Sequence, residues 1–241
     1  MSSRREQKEA LKRERLERER QAKEAERRKR LVGYGVGGAL AAAAVIAVVA
    51  ALALGGGGGD SSGSEANANI LPSGGSVPKQ KTSDLGEAAS AGGCKLSSER
   101  ATSRRHITDL NQTVKYRTNP PTDGMHYVNP AQDGAYSQAP PDTTLVHALE
   151  HGRIDIWFKP SLPGSARADL KALFDEEQGY QLLLIPRPNM PFAIAASAWG
   201  RDPTPNGTGY LMGCSRVDSA TWDALRAFID KHRGNGPEPV P

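Results

Sequence analysis

The hydrophobic and polar positions divide this chain of 241 residues into five stretches. Positions 1–30 are mainly charged or polar, and the apolar run that follows, 31–54, contains no Asp, Glu, Lys or Arg. Positions 55–92 are rich in Gly, Ser, Ala and Asn, which favours a flexible tether with too little apolar surface to fold alone. Regularly spaced apolar positions return in 93–233. The last stretch, 234–241, is rich in Gly and Pro, so the pattern predicts one folded domain followed by a disordered tail.

Two hydrophobic periods alternate within the predicted domain. Apolar residues three or four apart are typical of helices, and short apolar runs between turn residues are typical of strands. The predicted helices cover 144–151, 162–177 and 218–232, and the predicted strands cover 113–116, 154–158, 180–185 and 192–199. Asp142 or Thr143 is expected to cap the first helix, and Gly152 is expected to end it. Helices interleaved with strands predict an α+β domain in which helices cover a mixed sheet.

The apolar run 31–54 is long enough to cross a membrane. A helix rises about 1.5 Å per residue and the hydrocarbon core is about 30 Å thick. The preceding head holds thirteen Lys or Arg and seven Glu, which predicts a cytoplasmic N-terminus and a domain outside the cell membrane. A signal peptide cleaved after Ala51-Leu52-Ala53 is the alternative. The length of both the head and the apolar run favours a retained single-pass anchor.

The charge balance argues against a nucleic-acid-binding protein. The chain has a net charge of +4 and the head alone carries +6, so positions 31–241 carry −2. A slightly acidic outer domain lacks the basic surface that nucleic acids require. Gly33 and Gly37 match the small-residue spacing with which membrane helices pair, which permits a weak homodimer through the span. The sequence names no protein partner for the outer domain.

The chain has only two cysteines, Cys94 and Cys214, one near each end of the predicted domain. Thiols outside the cytoplasm tend to oxidise, so we expect a disulfide between them. Their wide separation lacks the close spacing of a zinc knuckle. A thiolate pair that binds a soft metal and two free thiols are the alternatives.

Four of the five histidines lie in the first half of the outer domain: His106, His126, His147 and His151. On the predicted helix, His151 is rotated about 40° to one side of His147 and Glu150 about 60° to the other. Two imidazoles four residues apart on a helix are a common way to bind one divalent metal ion. The stiff prolines of 119–121 bring His126 towards the same helix. We therefore predict a metal site formed by His126, His147 and His151, with Glu150 as a ligand or as a hydrogen-bond acceptor beside them.

The residue types suit zinc or copper. Imidazole binds both ions. Met125, which adjoins His126, and Met190 add sulfur atoms that suit copper in an exported protein. Methionine is nevertheless used more often to fill hydrophobic cores.

Two other interpretations of the histidine cluster stay open. His147, Glu150 and His151 match the H-x-x-E-H pattern of inverted zinc peptidases, in which Glu150 would act as a general base on a metal-bound water. In the other interpretation the same residues form a buried polar network of a structural or protein-interaction module at the cell surface. Three classes of function therefore remain: a metal-binding exported domain, a cell-surface module and a small metal-dependent hydrolase.

Five sequence blocks carry a resemblance to a known family. They are Asn119-Pro120-Pro121-Thr122-x-Gly124-x-His126, Gly134-x-Tyr136, Leu145-Val146-His147-x-Leu149-Glu150-His151-Gly152, Met190-Pro191 and Ala198-Trp199-Gly200. Over roughly residues 106–238 the chain resembles the uncharacterised bacterial "domain of unknown function" family numbered thirty-one-oh-five. The resemblance implies a basic head, one membrane span and an outer domain. It implies no activity that can be transferred to this chain.

Overall fold

Eight strands and four helices form the part of the chain that the computed structural model describes, residues 70–201 and 205–238. The helices are α1 (Leu85–Ala91), α2 (Asp142–Glu150), α3 (Gly164–Glu176) and α4 (Ser219–His232). The strands are β1 (Cys94–Arg100), β2 (His106–Ile107), β3 (His126–Tyr127), β4 (Gly134–Ala135), β5 (Ile154–Phe158), β6 (Leu182–Pro186), β7 (Ile194–Gly200) and β8 (Thr208–Cys214). The predicted charged head, the apolar run and the first part of the tether lie outside the described residues. Among the described residues, no helix has the length and apolar character needed to cross a membrane.

Six of the strands form one mixed sheet in the order β1-β8-β7-β5-β6-β4. The pairs β1–β8, β8–β7 and β7–β5 are antiparallel, whereas β5–β6 and β6–β4 are parallel. Helix α3 makes the crossover between the parallel strands β5 and β6, as parallel pairing requires. Strands β2 and β3 form a separate parallel pair. The predicted α+β class, with helices on a mixed sheet, is confirmed.

Hydrophobic residues pack on both faces of the sheet. On one face, helices α1, α3 and α4 pack against the sheet. The helices contribute Leu85, Leu170, Leu173, Trp222 and Phe228, and the strands contribute Ile154, Ile156 and Met212. On the other face, Leu145 and Ala148 of helix α2 pack in one cluster with the strand residues Trp157, Leu183 and Ala195. Alternate residues of a strand point to opposite faces, which is why Ile156 and Trp157 belong to different clusters. Helix α2 thus presents residues both to the sheet and to the segment around β3.

The strongly periodic elements lie where the sequence predicts them. Strand β5 coincides with the prediction, and α2, α3, α4, β6 and β7 begin and end within two residues of it. The prediction for the start of α2 is wrong, because neither Asp142 nor Thr143 caps the helix; the N-cap is Pro141, with no side-chain hydrogen bond. The predicted end is right, since Gly152 follows the C-cap with a φ of 83°, a conformation that favours glycine.

The predicted strand at 113–116 is wrong. These residues form no regular element, although they have the branched and aromatic side chains that favour strands. Strand β1 was missed because it lies at the edge of the sheet, where its residues are half-buried or exposed and show no apolar alternation. Strand β8, with Gly209 and Gly213, was missed for lack of a continuous apolar run.

The folded part of the chain begins before residue 93, within the range assigned to the flexible tether. Helix α1 buries Leu85, Ala88 and Ala89 in the core that it shares with α4. Asp84 caps this helix by accepting a hydrogen bond from the backbone N–H of Glu87 at 2.8 Å. Small alanines give little sequence signal, but they allow two helices to pack closely. The prediction of a flexible tether is therefore wrong for residues 70–92.

The first part of the predicted disordered tail is also ordered. Residues 234–238, which we call the C-terminal strap, follow α4 and hydrogen-bond to the backbone at the end of α2. The backbone N–H of Gly234 donates to the carbonyl of Gly152, and that of Glu238 donates to the carbonyl of Glu150. The last carbonyls of a helix have no partner within it, so these contacts supply partners that the sequence pattern cannot reveal.

The predicted disulfide between Cys94 and Cys214 is confirmed. The two residues are direct partners in the antiparallel register of β1 and β8. The bond therefore fastens an edge strand to its only neighbour among the described strands. Its sequence separation of 120 residues encloses all eight described strands and helices α2 and α3, whereas α1 and α4 lie outside the closed loop.

Candidate metal centre

Three histidines and one glutamate bring their side chains together beside α2. His106, His126, His147 and Glu150 each offer one nitrogen or oxygen atom, and these atoms all lie within 4.8 Å of one another. His106 and His126 are direct partners in the parallel pair β2–β3. His147 and Glu150 are three residues apart on α2, so both project from the same side of the helix. The result is a compact group of three imidazoles and one carboxylate.

The loop that leads into β3 is held by two hydrogen bonds. The carboxylate of Asp123 accepts from the backbone N–H of Thr102 at 2.8 Å. The hydroxyl of Tyr116 donates to the carbonyl of Met125 at 2.8 Å. Burial raises the pKa of Tyr116, so this hydroxyl remains a donor. Both bonds hold residues just before His126 and so fix where its ring enters the cluster.

Three histidine rings each point one nitrogen at a backbone carbonyl. The Nδ1 atom of His126 lies 2.8 Å from the oxygen of Gly124, and that of His147 lies 2.6 Å from the oxygen of Tyr127. The Nδ1 atom of His151 lies 2.9 Å from the oxygen of Glu238 in the strap. A carbonyl oxygen can only accept, so each Nδ1 carries the proton. In the neutral rings every Nε2 is then an unprotonated acceptor.

The unprotonated nitrogens face other acceptors. The Nε2 atom of His126 lies 2.9 Å from Oε2 of Glu150, but the approach does not have hydrogen-bond geometry. Both atoms are buried without a hydrogen-bond partner in the described structure. The Nε2 atoms of His147 and His151 lie only 2.8 Å apart. Lone pairs this close repel each other unless a proton or a cation lies between them.

Glu150 is anchored on one side and open on the other. Its Oε1 atom accepts from Nε of Arg104 at 2.7 Å, while Oε2 faces His126 and lies 3.8 Å from Nε2 of His106. Burial favours the neutral carboxyl, whereas a hydrogen bond from a protonated His126 and the guanidinium of Arg104 favour the carboxylate and lower the pKa of Glu150 to about 2. When Nε2 of His126 is unprotonated, Arg104 is the group that continues to favour the carboxylate. Glu150 is therefore an ionised carboxylate at neutral pH, with one oxygen directed at the imidazoles.

His147 is kept neutral by its surroundings. Burial lowers the pKa of His147 to about 4; the hydrogen bond to Tyr127 opposes this effect, and the neighbouring rings of His126 and His151 add to it. The rings of His147 and His151 are stacked with centroids 4.5 Å apart. A neutral imidazole is the form that binds a metal ion, so the fold holds His147 ready for ligation at neutral pH.

The low pKa of His147 predicts how the stability of the metal-free chain depends on pH. Unfolded His147 takes up a proton near pH 6.5 and folded His147 only near pH 4, so the unfolded state binds more protons between these values. The free energy of unfolding should therefore fall as the pH is lowered from 6.5 to 4. Urea unfolding followed by tryptophan fluorescence, in the presence of a chelator, measures this. The variant His147→Gln should show a weaker pH dependence, and an equal dependence in both proteins would contradict the assignment.

Apolar residues enclose the cluster on the side of the sheet, and His106 opens it to solvent. The indole of Trp199 meets the ring of His126 edge-on, with centroids 5.7 Å apart. Trp199 also packs with Val146 and Leu149 of α2. The side chain of His106 is 39% exposed, whereas that of His126 is fully buried. An ion would thus reach the cluster from the side of His106.

The structure brings together three of the four predicted ligands. His126, His147 and Glu150 belong to the group of close ligand atoms. His151 lies beside the group and contacts His147, but it is not a member. His151 is the C-cap of α2, where the chain leaves the helix, and its ring stacks on His147 instead of converging on Glu150.

Three residues of the site were missed as site residues. His106 occupies the place in the group that was predicted for His151, and Arg104 and Glu238 contact the site from either side. The only sequence signal for His106 was the concentration of histidines in this half of the domain. Arg104 and Glu238 gave no signal, because each reaches Glu150 or His151 from a distant part of the chain.

Comparison with known proteins gives one match. Residues 106–241 match the sequence profile of a family described as "Protein of unknown function (DUF3105)". No curated protein and no solved structure matches the chain.

Proposed function

The chain belongs to the DUF3105 family of proteins of unknown function, and from the geometry of its histidine cluster we propose that it binds one transition-metal ion. The ligands are His106, His126, His147 and Glu150. Each offers one nitrogen or oxygen atom, and the four atoms lie close enough together to share one ion.

One observation carries the proposal: Nε2 of His126 and Oε2 of Glu150 are buried 2.9 Å apart without a hydrogen-bond partner in the described structure. Two buried acceptors in contact are costly when nothing lies between them. A bound cation converts this repulsion into attraction to both atoms. The carbonyls of Gly124 and Tyr127 complete the arrangement, because a metal-ligating histidine usually donates its other N–H to such a group.

Zinc is the ion that fits the donor set best. Three imidazole nitrogens and one carboxylate oxygen suit zinc, which is commonly bound by four ligands. Copper was favoured by the sulfur atoms of two methionines. The sulfur of Met125 accepts from the guanidinium of Arg105, and Met190 packs in the hydrophobic cluster with Trp157. Each methionine thus already contacts other residues. Among the site residues, only the imidazoles remain in favour of copper.

The geometry does not favour the hydrolase interpretation. A general base needs a carboxylate that is free to take a proton from a metal-bound water. One oxygen of Glu150 is occupied by Arg104, and the other lies among the ligand atoms. His151, the second histidine of the H-x-x-E-H pattern, lies outside the group of ligand atoms. Glu150 is therefore better placed to bind the ion than to activate water.

A metal titration tests the proposal. The full chain, purified in mild detergent without a chelator and then stripped of metal, is titrated at neutral pH with zinc and, separately, with cuprous ion. We expect one tight equivalent of zinc. If neither ion binds, the cluster is a buried polar network, and the interpretation as a cell-surface structural or interaction module takes precedence.

We also propose that the domain is held outside the cell membrane by a single span at 31–54. The support is the charge-free apolar run, the basic head before it and the positive-inside bias. The disulfide between Cys94 and Cys214 adds to it, because such bonds persist mainly in oxidising compartments. A weak homodimer through Gly33 and Gly37 is compatible with this arrangement.

Cysteine labelling on intact cells tests this location. A cysteine introduced as Ser62→Cys should react with a membrane-impermeant thiol reagent, whereas Ser3→Cys should react only after lysis. The native cysteines are paired and do not react, so the unaltered chain serves as the background control. Labelling of Ser3→Cys alone in intact cells would contradict the orientation.

A further inference from the structure

The C-terminal strap, residues 234–238, crosses the end of α2 directly beside the histidine cluster. The backbone N–H of Gly234 donates to the carbonyl of Gly152 at 2.8 Å, and that of Glu238 donates to the carbonyl of Glu150 at 3.0 Å. The carbonyl of Glu238 in turn accepts from Nδ1 of His151 at 2.9 Å. The strap is therefore bonded to the backbone of one proposed ligand and to the ring that contacts another.

Gly236 in the strap and Gly152 at the end of α2 make this crossing possible, because their backbones lie too close together for a side chain. A Cβ atom at Gly236 would lie 2.2 Å from the backbone nitrogen of Gly152 and 2.3 Å from the carbonyl oxygen of Glu150. Real Cβ atoms essentially never approach other atoms so closely, and backbone atoms cannot move aside as a flexible side chain would. Any larger residue at position 236 must therefore push the strap away from α2.

The side chain of Glu238 makes a second link to the site. Its carboxylate lies 3.5 Å from Nη2 of Arg104, and Nε of the same arginine donates to Glu150 at 2.7 Å. Half of the Glu238 side chain is exposed, so this ion pair contributes little energy. The backbone bonds of the strap, and not this pair, are what fix His151.

We propose that the C-terminal strap is a positioning element of the metal site and that strap docking and metal binding stabilise each other. The inference rests on the proposed metal binding. With the strap docked, His151 is held by Glu238 so that its Nε2 faces Nε2 of His147 at 2.8 Å. With the strap displaced, the ring of His151 loses its acceptor and the carbonyl of Glu150 loses its donor. Because binding couplings are reciprocal, an ion that prefers the ordered site must also favour the docked strap.

The variant Gly236→Val in the full chain tests the coupling, and Gly164→Ala is the control. Gly164 lies at the start of α3, where a Cβ atom would come no closer than 4.0 Å to another side chain. Loss of a group that orients metal ligands typically weakens metal binding about 10- to 100-fold. We expect a zinc dissociation constant at least about ten-fold higher for Gly236→Val and unchanged for Gly164→Ala. Unchanged zinc affinity in both variants would overturn the inference and leave the proposed metal binding standing.

A second measurement uses the unaltered chain and does not depend on how well a variant folds. Backbone amide exchange at Gly234 and Glu238 should slow when saturating zinc is added, since both amides donate to α2 only when the strap is docked. Equal exchange with and without bound zinc would overturn the coupling. If the unaltered chain binds no metal, the proposed function fails and the coupling fails with it.

Discussion

Replacing His147 with alanine should abolish tight zinc binding by the full chain. His147 is the buried histidine of α2, and its pKa of about 4 keeps its ring neutral at neutral pH. Removing an outer partner of a metal ligand already costs about 10- to 100-fold in affinity. Removing the ligand itself should therefore raise the zinc dissociation constant by more than about 100-fold, as measured by competition with a chromogenic chelator.

Two further variants separate ligation from folding. Glu150→Gln keeps the shape of the side chain and removes its charge, so it should weaken zinc binding while the domain stays folded. His232→Gln is the matched histidine control, because the ring of His232 packs against Tyr210 and Phe228 at the C-terminal end of α4 and is not a member of the group of ligand atoms. Zinc affinity should be unchanged in this control. If His147→Ala and Glu150→Gln bind zinc as tightly as the unaltered chain, the ion is held elsewhere and the cluster is not the site.

Loss of the disulfide should have the largest effect on stability. Opening a closed loop of 120 residues removes about 4–5 kcal/mol in the chain-entropy model. For a domain of this size the unfolding midpoint should fall by about 10 °C or more. Thermal unfolding of the double variant Cys94→Ala, Cys214→Ala, compared with the unaltered chain with and without reductant, measures the effect.

The disulfide lies outside the proposed metal site, since neither cysteine is among the proposed ligands. The closed loop contains all four proposed ligands but not the C-terminal strap, which follows it in sequence. Because the substitutions remove no ligand, the double variant should bind zinc with nearly unchanged affinity at temperatures where it is folded. An unchanged unfolding midpoint after complete reduction would show that the bond does not constrain the unfolded chain.

The elements that the sequence predicts correctly share a physical basis. Strand β5 and helix α4 are buried along one face or on both faces, so their apolar spacing directly records the core. Elements with little apolar content were missed. Strand β1 is exposed at the sheet edge, and helix α1 buries only Leu85 and two alanines. Residues 113–116 have side chains that favour strands but pair with no described strand, so β propensity alone did not produce a strand there.

By itself, the sequence determined the members of the site that belong to one helix. The three-residue spacing of His147 and Glu150 on α2 places both on one arc whatever the rest of the chain does. Only the tertiary structure decided the other members. His106 enters through its pairing with His126 in β2–β3, and the strap reaches His151 from 87 residues away. Local periodicity records neighbours three or four residues apart, whereas these contacts depend on how distant segments pack.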